Sequence, residues 1–307
     1  MPRTGELIHT WHEGEIAVQQ QAGVVEQAAR LTRGIRAVIP EAAQRFLVDQ
    51  RFAILSWADV AGRIWASLRT GPSGFLVPRD EQTLVIAGES PDAERMAAAL
   101  EEDPKLGVLV IEFATRRRMR VNGEASVLPN RDIVLRTSEV YSNCPQYIQA
   151  RTVEGETGTE FPAPVIERDG TLIDRQRELI ERADTLFIAS LHPEHGADAS
   201  HRGGNPGFVK VANDGTLRIP DYSGNNMFNT LGNIQSNPKA GLLFVDFENG
   251  RTLQLSGTAR VVWDRKRFED MPGAIRMVEF RTDKIRESAL GMRLRYKFRS
   301  YSPVNPK

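Results

Sequence analysis

Ala66-Ser-Leu-Arg-Thr-Gly-Pro-Ser-Gly-Phe75 and Ala199-Ser-His-Arg-Gly-Gly-Asn-Pro-Gly-Phe208 are two versions of one stretch, 133 residues apart. The match extends outward in both directions. Ala53-Ile-Leu-Ser56 pairs with Phe187-Ile-Ala-Ser190, and Thr83-Leu-Val-Ile86 with Thr216-Leu-Arg-Ile219. Asp103-Pro-Lys-Leu-Gly107 pairs with Asn237-Pro-Lys-Ala-Gly241, and Arg117, Gly123 and Ala125 with Arg251, Gly257 and Ala259. Four blocks in one order, at offsets of 133 or 134, mark an internal duplication.

Each copy reads as a run of short strands with one helix inserted. Phe52 to Ser56, or Thr185 to Ser190, leads through a loop into a second strand ending at the repeated stretch. A strand at Gly74 to Val77, or Gly207 to Val211, follows, and the second copy then turns at Asn213-Asp-Gly215, a strong hairpin signal. After the next strand a helix intervenes: Pro91 to Glu102 with Ser90 as its cap, or roughly Asn226 to Gln235. Two strong strands close each unit, Gly107 to Ala114 with Arg118 to Val127, and Ala240 to Phe247 with Arg251 to Val262. Their continuous apolar runs suit strands buried on both faces. The fold class is therefore mainly β, with two tandem small closed or split barrels. The boundaries read as a helical N-terminal segment over 1–44, a first barrel over 45–130, a linker with a helix over 131–180, a second barrel over 181–270 and an extended, charged tail over 271–307. Glu15 to Leu31 reads as one helix, and the linker carries Glu154-Gly-Glu-Thr-Gly-Thr159 ahead of a helix at Arg175 to Arg182.

Composition excludes several classes. Lys plus Arg balance Asp plus Glu at 40 each among 307 residues, so no global field draws the chain to nucleic acid or anionic lipid. No apolar run approaches the ~20 residues of a membrane span, and the polar N-terminus does not read as a signal peptide. Cys144 is the only cysteine, which suits a reducing compartment. The expectation is a cytoplasmic protein with no nucleic-acid or membrane partner.

The second copy resembles the pyridoxamine 5'-phosphate oxidase-like family of FMN-binding split barrels, in its tandem double-barrel branch. Ser200-His-Arg-Gly-Gly-Asn-Pro-Gly-Phe-Val209, Pro220-Asp-Tyr-Ser-Gly-Asn-Asn-Met-Phe-Asn-Thr-Leu-Gly-Asn-Ile234, Asn143-Cys-Pro-Gln-Tyr-Ile-Gln149 and Ala183-Asp-Thr-Leu-Phe-Ile-Ala-Ser190 carry the likeness, which covers residues 45 to 265. The resemblance implies FMN held where two barrels meet, usually in a homodimer, with a small-molecule substrate and room for a separate reductase partner. It implies flavin-dependent electron transfer between a reduced nicotinamide, or another small reductant, and an acceptor. The rival reading is a non-catalytic holder of flavin or haem.

A flavin phosphate is a dianion and needs cations, backbone N–H groups or a helix N-terminus. The first copy places three carboxylates at the relevant turn, Gly88-Glu-Ser-Pro-Asp-Ala-Glu94, which repel phosphate. The second places Tyr222-Ser-Gly-Asn-Asn226 there, with only Asp221 charged. The candidate cofactor residues are therefore Ser200, His201, Arg202, Pro220, Asp221, Tyr222, Ser223, Asn225 and Asn226, with Arg69, the first-copy counterpart of Arg202, as a further candidate. Ser223, Asn225 and Asn226 suit turn and cap positions equally well, and Arg202 suits a polar surface loop. Arg116-Arg-Arg118 with Arg120 reads as a solvated strand-edge cluster or a ligand site. His192-Pro-Glu-His195 lacks helical metal-ligand spacing and a third ligand nearby, so no metal is expected. The chain has no Gly-x-Gly-x-x-Gly fingerprint, and its Phe298-Arg-Ser-Tyr-Ser-Pro end lacks the Arg-x-His pattern of vitamin B6 oxidation, so that activity is not expected.

Overall fold

A computed structural model describes residues 10–156 and 164–307. The polar start of the chain and the Gly-Thr end of the linker, residues 157–163, lie outside the described residues.

Three helices lead: α1 (Glu13–Ala22), α2 (Val25–Leu31) and α3 (Glu41–Val48). The single helix expected from Glu15 to Leu31 is two, because Gly23 turns left-handed at φ +71° and ends α1. The first barrel follows as β1 (Phe52–Ala58), β2 (Ile64–Thr70), β3 (Leu76–Asp80), β4 (Thr83–Ile86), α4 (Ala93–Glu102), β5 (Lys105–Glu112), β6 (Arg117–Val127) and β7 (Ile133–Asn143). Next come β8 (Ala150–Glu156), β9 (Val165–Asp169) and α5 (Asp174–Arg182). The second barrel is β10 (Thr185–His192), β11 (Gly196–Gly203), β12 (Lys210–Val211), β13 (Leu217–Asp221), α6 (Asn229–Ser236), β14 (Lys239–Val245), β15 (Thr252–Val262) and β16 (Arg276–Ser288), and β17 (Leu294–Ser300) ends the chain.

The two sheets have the same order, β2-β1-β5-β6-β7-β4-β3 and β11-β10-β14-β15-β16-β13-β12, antiparallel throughout. Even their irregularities repeat. A bulge falls at Asn122/Gly123 and again at Ser256/Gly257, and in both copies a Cβ on the glycine would lie 1.9 Å from a carbonyl of the neighbouring strand. Both barrels run further than the sequence boundaries set them. The first takes β7 from the expected linker, and the second takes β16 from the expected tail. Ile133, Leu135 and Thr137 alternate inward as a half-buried strand requires. In β16 a dense run of charges on the outer face hides the inward Val278, Phe280 and Ile285.

Each barrel has its own core, around Trp57, Trp65 and Leu84 in the first and Phe244, Leu255 and Phe280 in the second. A third core lies between them. Phe52, Ile54, Ile64 and Leu109 from the first barrel meet Phe187, Ala189, Leu243 and Phe247 from the second. This explains the continuous apolar runs: Leu55 and Trp57 face their own barrel, while Ile54 faces the other. Phe52, Phe113 and Phe247 meet edge-on or tilted at 5.1 to 6.2 Å, and Tyr296 of β17 closes over them. The barrels thus pair within one chain. No helix among the described residues is long and apolar enough to cross a membrane.

Candidate functional site

The seam between the barrels opens on one side into a cleft. Its floor is β6 of the first barrel against β11 of the second. Its rim is the turn after β13 and the start of α6. Ser200, His201, Arg202, Pro220, Asp221, Tyr222, Ser223, Asn225 and Asn226 all line it. Side chains on β6 alternate, so Arg118 and Arg120 reach the cleft together, and Arg276 enters from β16. Arg69 does not reach the cleft. It is buried in the first barrel, where its guanidinium is used by the carbonyls of Ala87, Gly88 and Arg131.

The charges are arranged around two carboxylates. Asp221 is gripped by Arg202 and, at 2.8 Å, by Arg276. Asp198 lies 3.2 Å from Arg120, which also donates to Ala199 O, Tyr141 Oη, Asn229 Oδ1 and Ser200 Oγ. Arg118 has no carboxylate. One of its nitrogens lies 3.2 Å from His201 Nδ1, and its buried Nε has no partner. Burial, with repulsion from Arg120 and Arg202, pulls Arg118 down to about 9. His201 is held well below its ordinary value by burial and by Arg118, so it is a neutral ring at pH 7, and its Nε2 is also unpartnered. Four guanidiniums stand against Asp198 and Asp221, the two carboxylates that pair with them, so the cleft side of the seam is rich in cations.

Backbone donors add to this field. Phe228 precedes α6 in left-handed conformation at φ +65° and gives it no side-chain cap, and the start of the helix, Asn229 to Leu231, lines the cleft. Of the five non-glycine residues with positive φ among the described residues, three line the cleft: Tyr147, Asn226 and Phe228. Such strain concentrates where a turn is held in shape for a ligand. Tyr147 and Asn143 from the first copy brace that turn, through Tyr147 Oη to Ser223 O at 3.0 Å and Asn225 to Asn143 Oδ1 at 2.6 Å.

The pseudo-symmetric position is closed. Gln254 stands 134 residues after Arg120, and its amide donates to Ala66 O, Ser67 Oγ and Asp92 Oδ2 at 2.7 to 3.0 Å. Arg286 neutralises Asp92 at 3.0 Å. At one mouth of the duplicated seam Arg118 Nε and His201 Nε2 are unpartnered beside the cleft; at the other, Gln254 and Arg286 close on Asp92, with Arg286 Nε left unpartnered.

Sequence reasoning gathered the second-copy side of the cleft and missed the first-copy side. Arg118 and Arg120 were legible as a strand-edge cluster, and their i, i+2 spacing was the signal that both point one way. Asn229, Thr230 and Arg276 carried no local signal; the sheet order alone brings them in.

Beside the cleft, α1 packs on α6 with its own buried network. Glu15 is pushed up to about 8 by burial, against hydrogen bonds from the His12 backbone and Asn229. His12 is lowered to about 4 by burial and by His192, so Glu15 and His12 meet as neutral groups at pH 7. A carboxyl of 4.5 unfolded and about 8 folded stabilises fully below pH 4.5, and that contribution is lost as pH rises to 8. Glu15→Gln, which keeps the neutral form, is therefore expected to gain on the native chain by about 1.4 kcal/mol per pH unit between roughly pH 5 and 8. Urea unfolding at several pH values measures it; a difference that does not change with pH contradicts the assignment.

His12, Glu13 and His192 are the one group of metal-ligand types clustered among the described residues, with His195 in ring contact. His12 thus supplies the third neighbour absent from the local spacing. The geometry is still not that of a metal site. Nδ1 of each buried ring accepts backbone N–H groups, and Nε2 faces Asn233 Oδ1 or Glu13 Oε1 as a donor. Neither ring has a lone pair to give.

The sequence model of the family described as pyridoxamine 5'-phosphate oxidase matches residues 39–155 and again 172–294. No curated protein matches. Among solved structures, HupZ of Group A Streptococcus is 15% identical, with 38% of this chain and 92% of that chain covered and a TM-score of 0.31. A general stress protein 26-related protein of the pyridoxinephosphate oxidase family from Clostridium acetobutylicum is 16% identical, covering 35% and 81%, at TM-score 0.27. An FAD-binding protein from Mesorhizobium loti is 10% identical, covering 40% and 97%, at 0.29. With the family pattern present in both halves and the same sheet order in each, the chain belongs to the pyridoxamine 5'-phosphate oxidase family, as a tandem pair of its barrels.

Proposed function

We propose that the chain is a flavin-dependent oxidoreductase that holds FMN in the cationic cleft between its barrels, one per chain. The observation that carries this reading is the cluster of cations with buried, unmet donors, Arg118 Nε foremost. A phosphate dianion matches those cations, and the uncapped start of α6 supplies N–H groups of the right sign. Arg118, Arg202 and the Ser223–Asn226 turn are assigned to the phosphate end, and Arg120 holds the two walls together behind it. Both walls come from one chain, so a second copy is not needed to complete the cleft. A bound flavin supplies electron transfer; the protein supplies orientation and exclusion of water. His201 is held in its neutral form, and Asp221 is paired twice.

Fluorescence titration with FMN and with riboflavin tests the phosphate assignment. A charge-assisted phosphate site is worth roughly 3 kcal/mol, so FMN is expected to bind at least about 100-fold more tightly than riboflavin. Arg118→Ala is expected to weaken FMN by more than tenfold and riboflavin little. Equal binding of FMN and riboflavin by the native chain refutes the assignment.

A further inference from the structure

The strained turn at the rim of the cleft is held from outside the barrels. Asn226 and Phe228 are left-handed at φ +60° and +65°, with Met227 between them. Neither is glycine, so this backbone shape persists only where its surroundings impose it. Tyr147 and Asn143 hold the first half of the turn, at Ser223 and Asn225. The second half is held by the N-terminal helices, which belong to neither sheet.

α1 lies antiparallel along α6. The two backbones pass so close that a Cβ on Gly14 would lie 2.2 Å from the carbonyl oxygen of Gly232, which fixes where the helices cross. His12 meets Asn233, and Glu15 accepts from Asn229 at 2.7 Å. α6 begins at Asn229, but α1 runs on beyond it. Four residues after Glu15, on the same face of α1, Gln19 donates from Nε2 to the Met227 carbonyl at 3.2 Å. Gln19 is 1% exposed, a burial that an amide side chain accepts only when it is hydrogen-bonded. Met227 is itself buried against Ile35 and Tyr141, with Trp11 and Leu31 beside it, and Gln27 of α2 accepts from Asn226 at 3.1 Å. The matching turn of the first copy, Gly88 to Asp92, has its one left-handed residue at Gly88, where that conformation costs little.

We infer that Gln19 is a positioning residue for the phosphate of the proposed cofactor. Its bond to the Met227 carbonyl sets the left-handed turn that presents Asn225, Asn226 and the start of α6 to the cleft, and with it the preference for a phosphorylated flavin. The inference rests on the flavin reading for the ligand and on the turn alone for the clamp.

The test compares Gln19→Met with the native full-length chain. Methionine keeps the length of the side chain and removes the donor; Gln19→Leu removes the same donor and is expected to give the same result. Hydrogen exchange without flavin is the first readout. Amides of residues 225–230 are expected to exchange about tenfold faster, with the barrel strands unchanged. Titration with FMN and with riboflavin is the second. FMN is expected to weaken about tenfold and riboflavin less than about twofold. Val18→Ala is the control, since it removes packing of α1 on the second core and leaves the Gln19 bond in place. It is expected to lower the unfolding temperature and to leave the ratio of the two affinities unchanged. Exchange at the turn that neither Gln19 variant alters overturns the inference. So does an equal loss of FMN and riboflavin, or a fall in their ratio as large in Val18→Ala. If the native chain binds no FMN, the flavin reading fails and the exchange result alone decides the clamp.

Discussion

Arg120→Gln is expected to lower the unfolding free energy by about 3 kcal/mol and to remove FMN binding. Arg120 is buried on β6 and reaches across the seam to Ala199, Ser200 and Asn229 of the second barrel, with Asp198 at 3.2 Å. Burial alone disfavours its charge, but Asp198 and Tyr141 more than offset this and raise its affinity for the proton. Removing the guanidinium leaves Asp198 as a buried, uncompensated carboxylate, a change that costs about 3–5 kcal/mol when a buried pair loses one partner. Glutamine is the instructive replacement, because Gln254 occupies the matching place in the other copy and keeps that side closed and neutral. The effect on stability should be partly reversed by Asp198→Asn in the same chain, since the second change removes the orphaned charge. Binding of FMN should not return, since the link between the two walls of the cleft is still absent. Guanidinium or urea unfolding and a flavin titration measure the two effects separately. A loss below about 1 kcal/mol, or no recovery in the double variant, contradicts the role given to the pair.

Gly241→Ala and Gly107→Ala are each expected to destabilise the chain by about 2–3 kcal/mol and to loosen the contact between barrels. These glycines are 134 residues apart and face each other's barrels. A Cβ at Gly107 would lie 2.6 Å from the carbonyl of Ala197, and one at Gly241 would lie 2.6 Å from the carbonyl of Ile64. Both obstacles are backbone, which cannot rotate away, so the methyl must be accommodated by moving one barrel from the other. Overpacking of this kind costs about 1–3 kcal/mol, and here it acts on the shared core of Phe52, Phe187 and Leu243. Gly34→Ala is the control, with open space where its Cβ would stand and no left-handed backbone. Near-equal losses from the two seam glycines, and none at Gly34, would show that the copies still meet as a pseudo-twofold pair. If either seam substitution is neutral, the close approach is not as described.

The fold was legible for a physical reason. Duplication repeats glycines and turns that the backbone requires, and these survive when surface residues diverge. Gly107 and Gly241 appear in the matched blocks because only a hydrogen fits between barrels, and Gly123 and Gly257 because a bulge leaves no room for a Cβ. What the sequence hid was β16, whose outer face alternates Arg281, Asp283 and Lys284 and so resembles a charged tail. The site was half legible. Ser200 to Arg202 and Pro220 to Asn226 are local in sequence and arrive as two segments. Arg118 and Arg120 lie about 80 residues from the strand they face, and no local pattern says that β6 of one copy lies against β11 of the other. Arg69 and Arg202 are matched in sequence yet differ in use, because Arg69 is spent on three carbonyls while Arg202 stands beside Asp221 at the cleft.

The most direct measurement is an absorption spectrum of the purified chain after incubation with FMN and removal of unbound flavin. The account predicts a retained flavin spectrum at one FMN per chain, lost in Arg120→Gln and restricted to a single site despite the duplicated barrels. A colourless protein, or two flavins per chain, would contradict it.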